Sequence, residues 1–224
     1  MFETLELLVE GAVHSAAVNM AVDEALLRRT RVPILRVYGW RRAAITFGYF
    51  EKWAPLFAEF PDRELIRRWT GGGVVHHGRD WTYSLIVPRG DPFARLPAAE
   101  TYRLIHLALG EALRAAGYEP AVAPQAAPRT SAACFENPAR YDLLVGADKI
   151  AGAAQRRSRF GLLHQGSVQG VVIPEGFARR LAARLARRVV PRALEACERQ
   201  TAEALAAAKY ATEAWNRRRL VDSA

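Results

Sequence analysis

Three consecutive glycines, Gly71–Gly73, stand inside the run RRWTGGGVVHHGRDWTYSL at 67–85. The flanking runs, LIRRW at 65–69 and GVVHH at 73–77, read as strands. A turn alone needs one Gly with an Asn or Asp. Three bare residues either take positive φ or let something approach the backbone closely. A strand follows the glycines, which excludes the common nucleotide fingerprints: GxxxxGK(S/T) is absent, and the dinucleotide pattern needs a helix there. A Gly-rich β-turn can still cradle an anion or an extended chain with its N–H groups. Arg67 and Arg68 occupy adjacent strand positions, so their side chains point to opposite faces and one of them faces a ligand above the loop.

The remaining patterns place this turn in a mixed architecture. NMAVDEALLRR at 19–29 has Met20, Ala21, Ala25 and Leu26 at helical spacing. Strands are expected at 34–40, 43–50, 81–88, 141–146, 149–156 and 161–173. Residues 98–116 form a helix with Tyr102, Ile105, Leu109 and Leu113 on one stripe. The segment 124–139, with three prolines, reads as a loop. From about 175 the tail reads as helical, with a break near Pro191. Strand runs with flanking helices and no regular βαβ alternation predict an α+β fold with a mixed, largely antiparallel central sheet. The 224 residues are expected to form a single domain.

Charge and cysteine content narrow the function. The formal net charge is +9, yet most arginines lie in ordinary amphipathic helices, and no aromatic-interleaved basic motif points to nucleic acid. A basic rim facing an acidic protein partner is at least as good a reading. No run is long and apolar enough for a membrane span, and the N-terminus has no basic region of a signal peptide. Cys134 and Cys197 are too few for a disulfide framework, which suggests a cytoplasmic protein. No Cys/His spacing suggests a metal. Of 32 basic residues only Lys52, Lys149 and Lys209 are lysines. Where arginine is so preferred, Lys149 in ADKIAG is a candidate for a site that needs a compact ammonium. Cys197, in ALEACERQ, reads as a packing residue, and His76 points away from His77.

The motifs RRWTGGGVVHHGRDWTYS, ADKIAGAAQRR and GLLHQGSV, with NMAVDEALL near the N-terminus, resemble the biotin/lipoate protein ligase and octanoyltransferase family over about residues 15–170. The resemblance implies that family's catalytic-domain fold, with an octanoyl or lipoyl chain in an apolar slot beside the Gly loop. It implies substrate-binding roles for Arg68, Gly71, Gly72, Gly73, His77, Gly152, His164 and Gly166, and a place for Lys149 near the acyl carbonyl.

The family holds two chemistries. Lipoate–protein ligases activate a free acid with ATP and Mg. Octanoyltransferases take the acyl group from acyl carrier protein as a cysteine thioester and need no cofactor. Both deliver it to a lysine of a lipoyl domain or glycine-cleavage H protein. Cys134, in SAACFENPARYDLL, resembles the acyl-enzyme cysteine of one octanoyltransferase group, and a thiolate is a competent acyl nucleophile. The spacing from His77 to Tyr83 resembles the transferase form, while the intact Gly triplet resembles the ligases. The expected function is therefore octanoyl or lipoyl transfer through Cys134 and Lys149. The alternatives are an ATP-dependent ligase and a non-catalytic acyl or acyl-adenylate binder.

Overall fold

The computed structural model describes residues 1–126 and 138–220. In chain order the elements are β1 (Phe2–His14), α1 (Ala16–Arg29), β2 (Ile34–Trp40), β3 (Ala44–Phe47), α2 (Trp53–Glu59), β4 (Glu64–Arg67), β5 (Val74–His77) and β6 (Trp81–Pro88). Then come α3 (Ala98–Arg114), β7 (Ala121–Val122), β8 (Leu143–Val145), β9 (Asp148–Ser158), β10 (Gly161–Val168), α4 (Phe177–Leu185), β11 (Ala186–Arg192), α5 (Ala196–Leu205) and α6 (Glu213–Arg218).

The eight-stranded sheet runs β11-β1-β2-β6-β10-β9-β8-β7, and a second sheet runs β4-β3-β5. In the large sheet β1 pairs in parallel with β2 and β11, and the other pairings are antiparallel. The α+β expectation with a mixed, largely antiparallel sheet therefore holds.

Side-chain alternation gives the large sheet two buried faces. Leu35, Val37, Leu85, Val87 and Leu162 pack with α3 and α4 on one. Ile34, Ile86 and Leu163 pack with α1 and α5 on the other. The small sheet has its own cluster, with Phe47, Leu65 and Val74 against Leu56 of α2. Each such side chain contributes about 1.5–3 kcal/mol when fully buried. Helix α1 starts where Ser15 caps it, its hydroxyl accepting from the Val18 N–H at 3.4 Å.

One element adds to the sequence reading and one corrects it. Residues 2–14 form a long strand, and the tail beyond 175 is not helical throughout. Ala186–Arg192 is an edge strand pairing in parallel with β1, Phe2 opposite Ala186 and Leu8 opposite Arg192. Its run ARRVVPR imitates a helix continuation, yet Pro191 is tolerated because an edge strand has one side free of ladder bonds. Cys197 is exposed, not packed. Among the described residues no helix is long and apolar enough to cross a membrane.

Candidate active site

The two sheets meet at a narrow slot of about 420 Å³, a figure that includes space open to solvent. Met20 of α1, Tyr38 and Trp40 of β2, Val75 of β5 and Ala154 of β9 give it apolar walls. Its polar lining comes from Thr46, Arg68, His77, Gln165 and Ser167. Gln165 and Ser167 reach it because alternate residues of β10 share one face.

These polar groups form one connected chain. Arg68 Nη1 donates to Thr46 Oγ1 at 2.8 Å. His77 lies between Thr46 Oγ1, 2.7 Å from Nε2, and Asp80 Oδ2, 2.7 Å from Nδ1. Burial lowers the His77 pKa, and hydrogen bonds with His77, Thr82 and Ser167 hold Asp80 at about 2 despite its own burial. Asp80 is thus an acceptor, neutral His77 donates to it from Nδ1, and Nε2 accepts the Thr46 hydroxyl. Thr82 and Ser167 also donate to Asp80 Oδ2, each at 2.7 Å. Trp40 stacks on His77 with ring centroids 3.9 Å apart. Asp80 is the residue that sequence reasoning missed: it stands three residues after His77 in the quoted motif, and the turn folds it back onto the imidazole.

The Gly loop is anchored from the same arginine. Arg68 Nη2 donates to Gly71 O at 2.9 Å and Gly73 O at 2.8 Å. Gly72 has φ +81, and a Cβ there would meet Ala154 Cβ at 3.2 Å and Arg68 Nη2 at 3.3 Å, both from slot-lining residues. The close approach expected of the triplet also comes from within the chain. A Cβ on Gly48 would fall 1.8 Å from Gly72 O, so two bare backbones pass where side chains could not. The three glycines border the slot behind Arg68 and are not themselves among its lining residues.

Lys149, on β9, is not itself among the slot-lining residues but packs against Gly152, which is. Its Nζ is 2.7 Å from Asp142 Oδ2, with 2% of its side chain exposed. Cε and Nζ lie 2.6 Å and 2.8 Å from where a Cβ of Gly152 would be. Gly152 therefore opens the path by which the ammonium reaches the slot wall. Tyr102 donates to the other oxygen of Asp142, and the Ala139 N–H donates to Oδ2 at 2.6 Å.

His164 departs from its expected place. It is fully buried on the α3 side of β10, behind the slot, 3.2 Å from the Tyr83 hydroxyl and 3.1 Å from Gln155 Nε2. Strand alternation explains this, since Gln165 and Ser167 take the slot face. Gly166 lines the slot, and a Cβ on it would meet Tyr83 Cζ at 2.3 Å. His76 is exposed while His77 is buried, so the two point apart as expected. Cys134 lies outside the described residues.

Comparison with known proteins agrees with this geometry. Residues 15–181 match the lipoyl protein ligase A/B catalytic domain. Octanoyltransferase LipM of Kyrpidia tusciae is 32% identical, over 92% of this chain and 96% of that protein. Octanoyltransferase LipM of Staphylococcus aureus is 36% identical over 71% of this chain, and the match spans 64% of that longer relative. A T. acidophilum structure with bound lipoic acid, described as a lipoate protein ligase, superposes with a TM-score of 0.75 at 21% identity, covering 96% of this chain and 98% of that one. This last likeness is one of fold. The chain belongs to the lipoyl protein ligase A/B catalytic domain family.

Proposed function

We propose that the chain is a cytoplasmic octanoyltransferase of lipoate metabolism that works through a Cys134 thioester. The observation that carries this reading is the apolar slot with a buried ammonium at its end. The aliphatic chain lies along Met20, Tyr38, Trp40 and Val75, and its carbonyl end comes to Lys149 at Gly152. The likeness to octanoyltransferases over most of the chain supports the reaction class.

The Cys134 thiolate attacks the carbonyl carbon of an octanoyl thioester on acyl carrier protein. The tetrahedral oxyanion collapses, the carrier's thiolate leaves, and octanoyl-Cys134 remains. The amine of a lysine on a lipoyl domain or glycine-cleavage H protein then attacks that thioester. It loses a proton and releases the Cys134 thiolate. Lys149 pairs with the thiolate and donates to the carbonyl oxygen as charge develops there. Asp142 holds the ammonium in place. This reaction needs no cofactor.

A second reading, ATP-dependent lipoate–protein ligation, is supported by the intact Gly triplet and by the fold likeness to a lipoate-bound protein. One variant separates the two. Cys134→Ser should reduce transfer from octanoyl-carrier protein by more than about a hundredfold, with loss of the hydroxylamine-sensitive acyl adduct by intact mass. ATP-driven transfer of free lipoate, absent in wild type and carrier-dependent transfer lost in the variant, completes the expected pattern. Wild-type activity only in the ATP assay, unaltered by Cys134→Ser, overturns the transferase. Acyl binding with no turnover in either assay leaves a binding protein.

A further inference from the structure

Lys149 packs against Gly152 with its ammonium on Asp142, and Asp142 is held in turn from the opposite face of the sheet. Strand β8 pairs with β9 no further than Leu143 opposite Ala151. Past that point no strand covers this edge of β9 among the described residues, and the Ala153 N–H donates instead to the Tyr102 hydroxyl of α3 at 2.9 Å. The same hydroxyl donates to Asp142 Oδ1. Asp142 Oδ2 accepts from Lys149 Nζ at 2.7 Å and from the Ala139 N–H at 2.6 Å. The carboxylate thus bridges α3, behind the sheet, to the ammonium in front. Asp142 is fully buried, and a buried ion pair holds well only where further hydrogen bonds satisfy its lone pairs. Tyr102 supplies the one on Oδ1.

A second residue of α3 fixes the backbone under that carboxylate. Tyr141 has φ +75, a region that a bulky residue keeps only where its surroundings impose it. His106 Nδ1 donates to the Tyr141 carbonyl at 2.7 Å, and the Tyr141 N–H donates to Ala123 O at 2.9 Å. Tyr102 and His106 are four residues apart on α3 and so share a face, with ring centroids 4.2 Å apart. His164 packs against both rings, its centroid 5.6 Å from Tyr102 and 5.7 Å from His106. The histidine of the GLLHQGSV motif therefore supports this pair from β10.

We propose that Tyr102 and His106 form a clamp that positions the Lys149 ammonium for acyl transfer. His106 fixes the backbone at Tyr141, Tyr102 orients the Asp142 carboxylate, and Asp142 holds the ammonium over Gly152. Neither ring lines the slot, so both are positioning residues. The inference rests on the role given to Lys149 in the transferase reading and adds what sets its place. Without the Tyr102 hydroxyl, Asp142 Oδ1 is left buried with no donor. The carboxylate is then free to rotate, and the ammonium loses its fixed seat.

The test is Tyr102→Phe, which removes one oxygen and keeps the ring against His106 and His164, with its melting temperature checked against wild type. Isotope labelling of lysine nitrogen reports on Lys52, Lys149 and Lys209 alone. An ammonium gives a proton–nitrogen NMR signal only where burial and hydrogen bonds slow its exchange with water. Wild type should show one for Lys149, assigned by its absence in Lys149→Arg, and one for Lys209, which is buried on Glu24. In Tyr102→Phe the Lys149 signal should broaden or vanish while the Lys209 signal stays. In parallel, kcat for octanoyl-carrier protein should fall by about tenfold or more with KM within about twofold, the pattern of an interaction made in the transition state. His106→Leu should weaken both readouts, and His106→Asn, whose amide keeps a donor for the Tyr141 carbonyl, should restore most of each. An unchanged Lys149 signal in Tyr102→Phe overturns the clamp whatever the turnover, and so does a wild type with no such signal. A raised KM with kcat kept also overturns it, since Tyr102 would then only shape the slot. Equal effects of His106→Leu and His106→Asn remove His106 from it. Loss of the signal in Tyr102→Phe, with wild type inactive on the carrier thioester, upholds the clamp and removes the transferase reading.

Discussion

Arg67 and Arg68 are neighbours in sequence and nearly equal in burial, at 2% and 5% exposed, yet they serve different regions. Arg67 turns to the C-terminal helices. Its guanidinium donates to the carbonyls of Tyr49, Glu51, Trp215 and Asn216 at 2.7–3.2 Å. Its own backbone is gripped too, the N–H by Asn216 Oδ1 at 2.7 Å and the carbonyl by Trp215 Nε1 at 2.9 Å. Arg68 turns to the slot and ties Thr46 to the Gly loop. The pleat divides the two roles: one cation fastens the tail to the sheet, and the other shapes the ligand-facing wall.

Exchanging their fates should give the largest effect. Arg67→Ala strands several buried carbonyls, each worth about 1–3 kcal/mol when unsatisfied. We expect a loss of at least about 3 kcal/mol in urea unfolding, with α5 and α6 released from the sheet. Arg68→Ala should lose less stability, because Gly71 and Gly73 are only partly buried, but should lose octanoyl affinity. If the two variants are equally destabilised and both keep ligand affinity, the division is wrong.

Gly72 sharpens the slot side. Gly72→Val should remove octanoyl binding by more than about a hundredfold in calorimetry while the protein still folds. A β-branched residue resists φ +81. Its Cβ would also press on Arg68 and Ala154 at once. Unchanged affinity would mean that the triplet is only a turn.

Much of this was legible in the sequence where local pattern decides the outcome. The α1 helix, the β6 and β10 strands, the opposite orientation of Arg67 and Arg68, and that of His76 and His77 all follow from period 3.6 or period 2. The misses are long-range. Residues 2–14 become a strand because β2 and β11 flank them. The segment 186–192 becomes one because β1 offers an edge, overriding helical composition. Asp80 joins His77 through turn geometry that composition does not record. His164 sits behind the slot because the motif names the residue but only strand register tells which face it takes. Lys209 reads as a tail lysine, yet it lies 2.6 Å from Glu24 of α1 and 4.1 Å from the Trp215 ring centroid. No local rule brings residues so distant in sequence together.

The histidines repeat the division between slot and support, and pH reads it out. His77, at the slot, has both ring nitrogens engaged. His106, on α3 behind the sheet, has Nδ1 2.7 Å from Tyr141 O and no partner at Nε2 among the described residues. Burial lowers its pKa to about 4, against about 6.5 in the unfolded chain. Above pH 6.5 both states are neutral and the full stability is present. Below it the unfolded chain binds the proton first, so stability falls as pH drops toward 4. Down to pH 5 the loss from this residue is about 2 kcal/mol. His164 and His77, lowered by burial as well, add losses that begin at the same pH. The measurement is therefore a difference of slopes: urea unfolding of wild type and His106→Leu at pH 7 and pH 5. The leucine is expected to cost stability at pH 7, where the Tyr141 carbonyl loses its donor, and to recover most of that difference by pH 5. Parallel slopes for the two proteins would mean that His106 accepts a proton in the folded state through Nε2, and that the space behind the sheet is open to water.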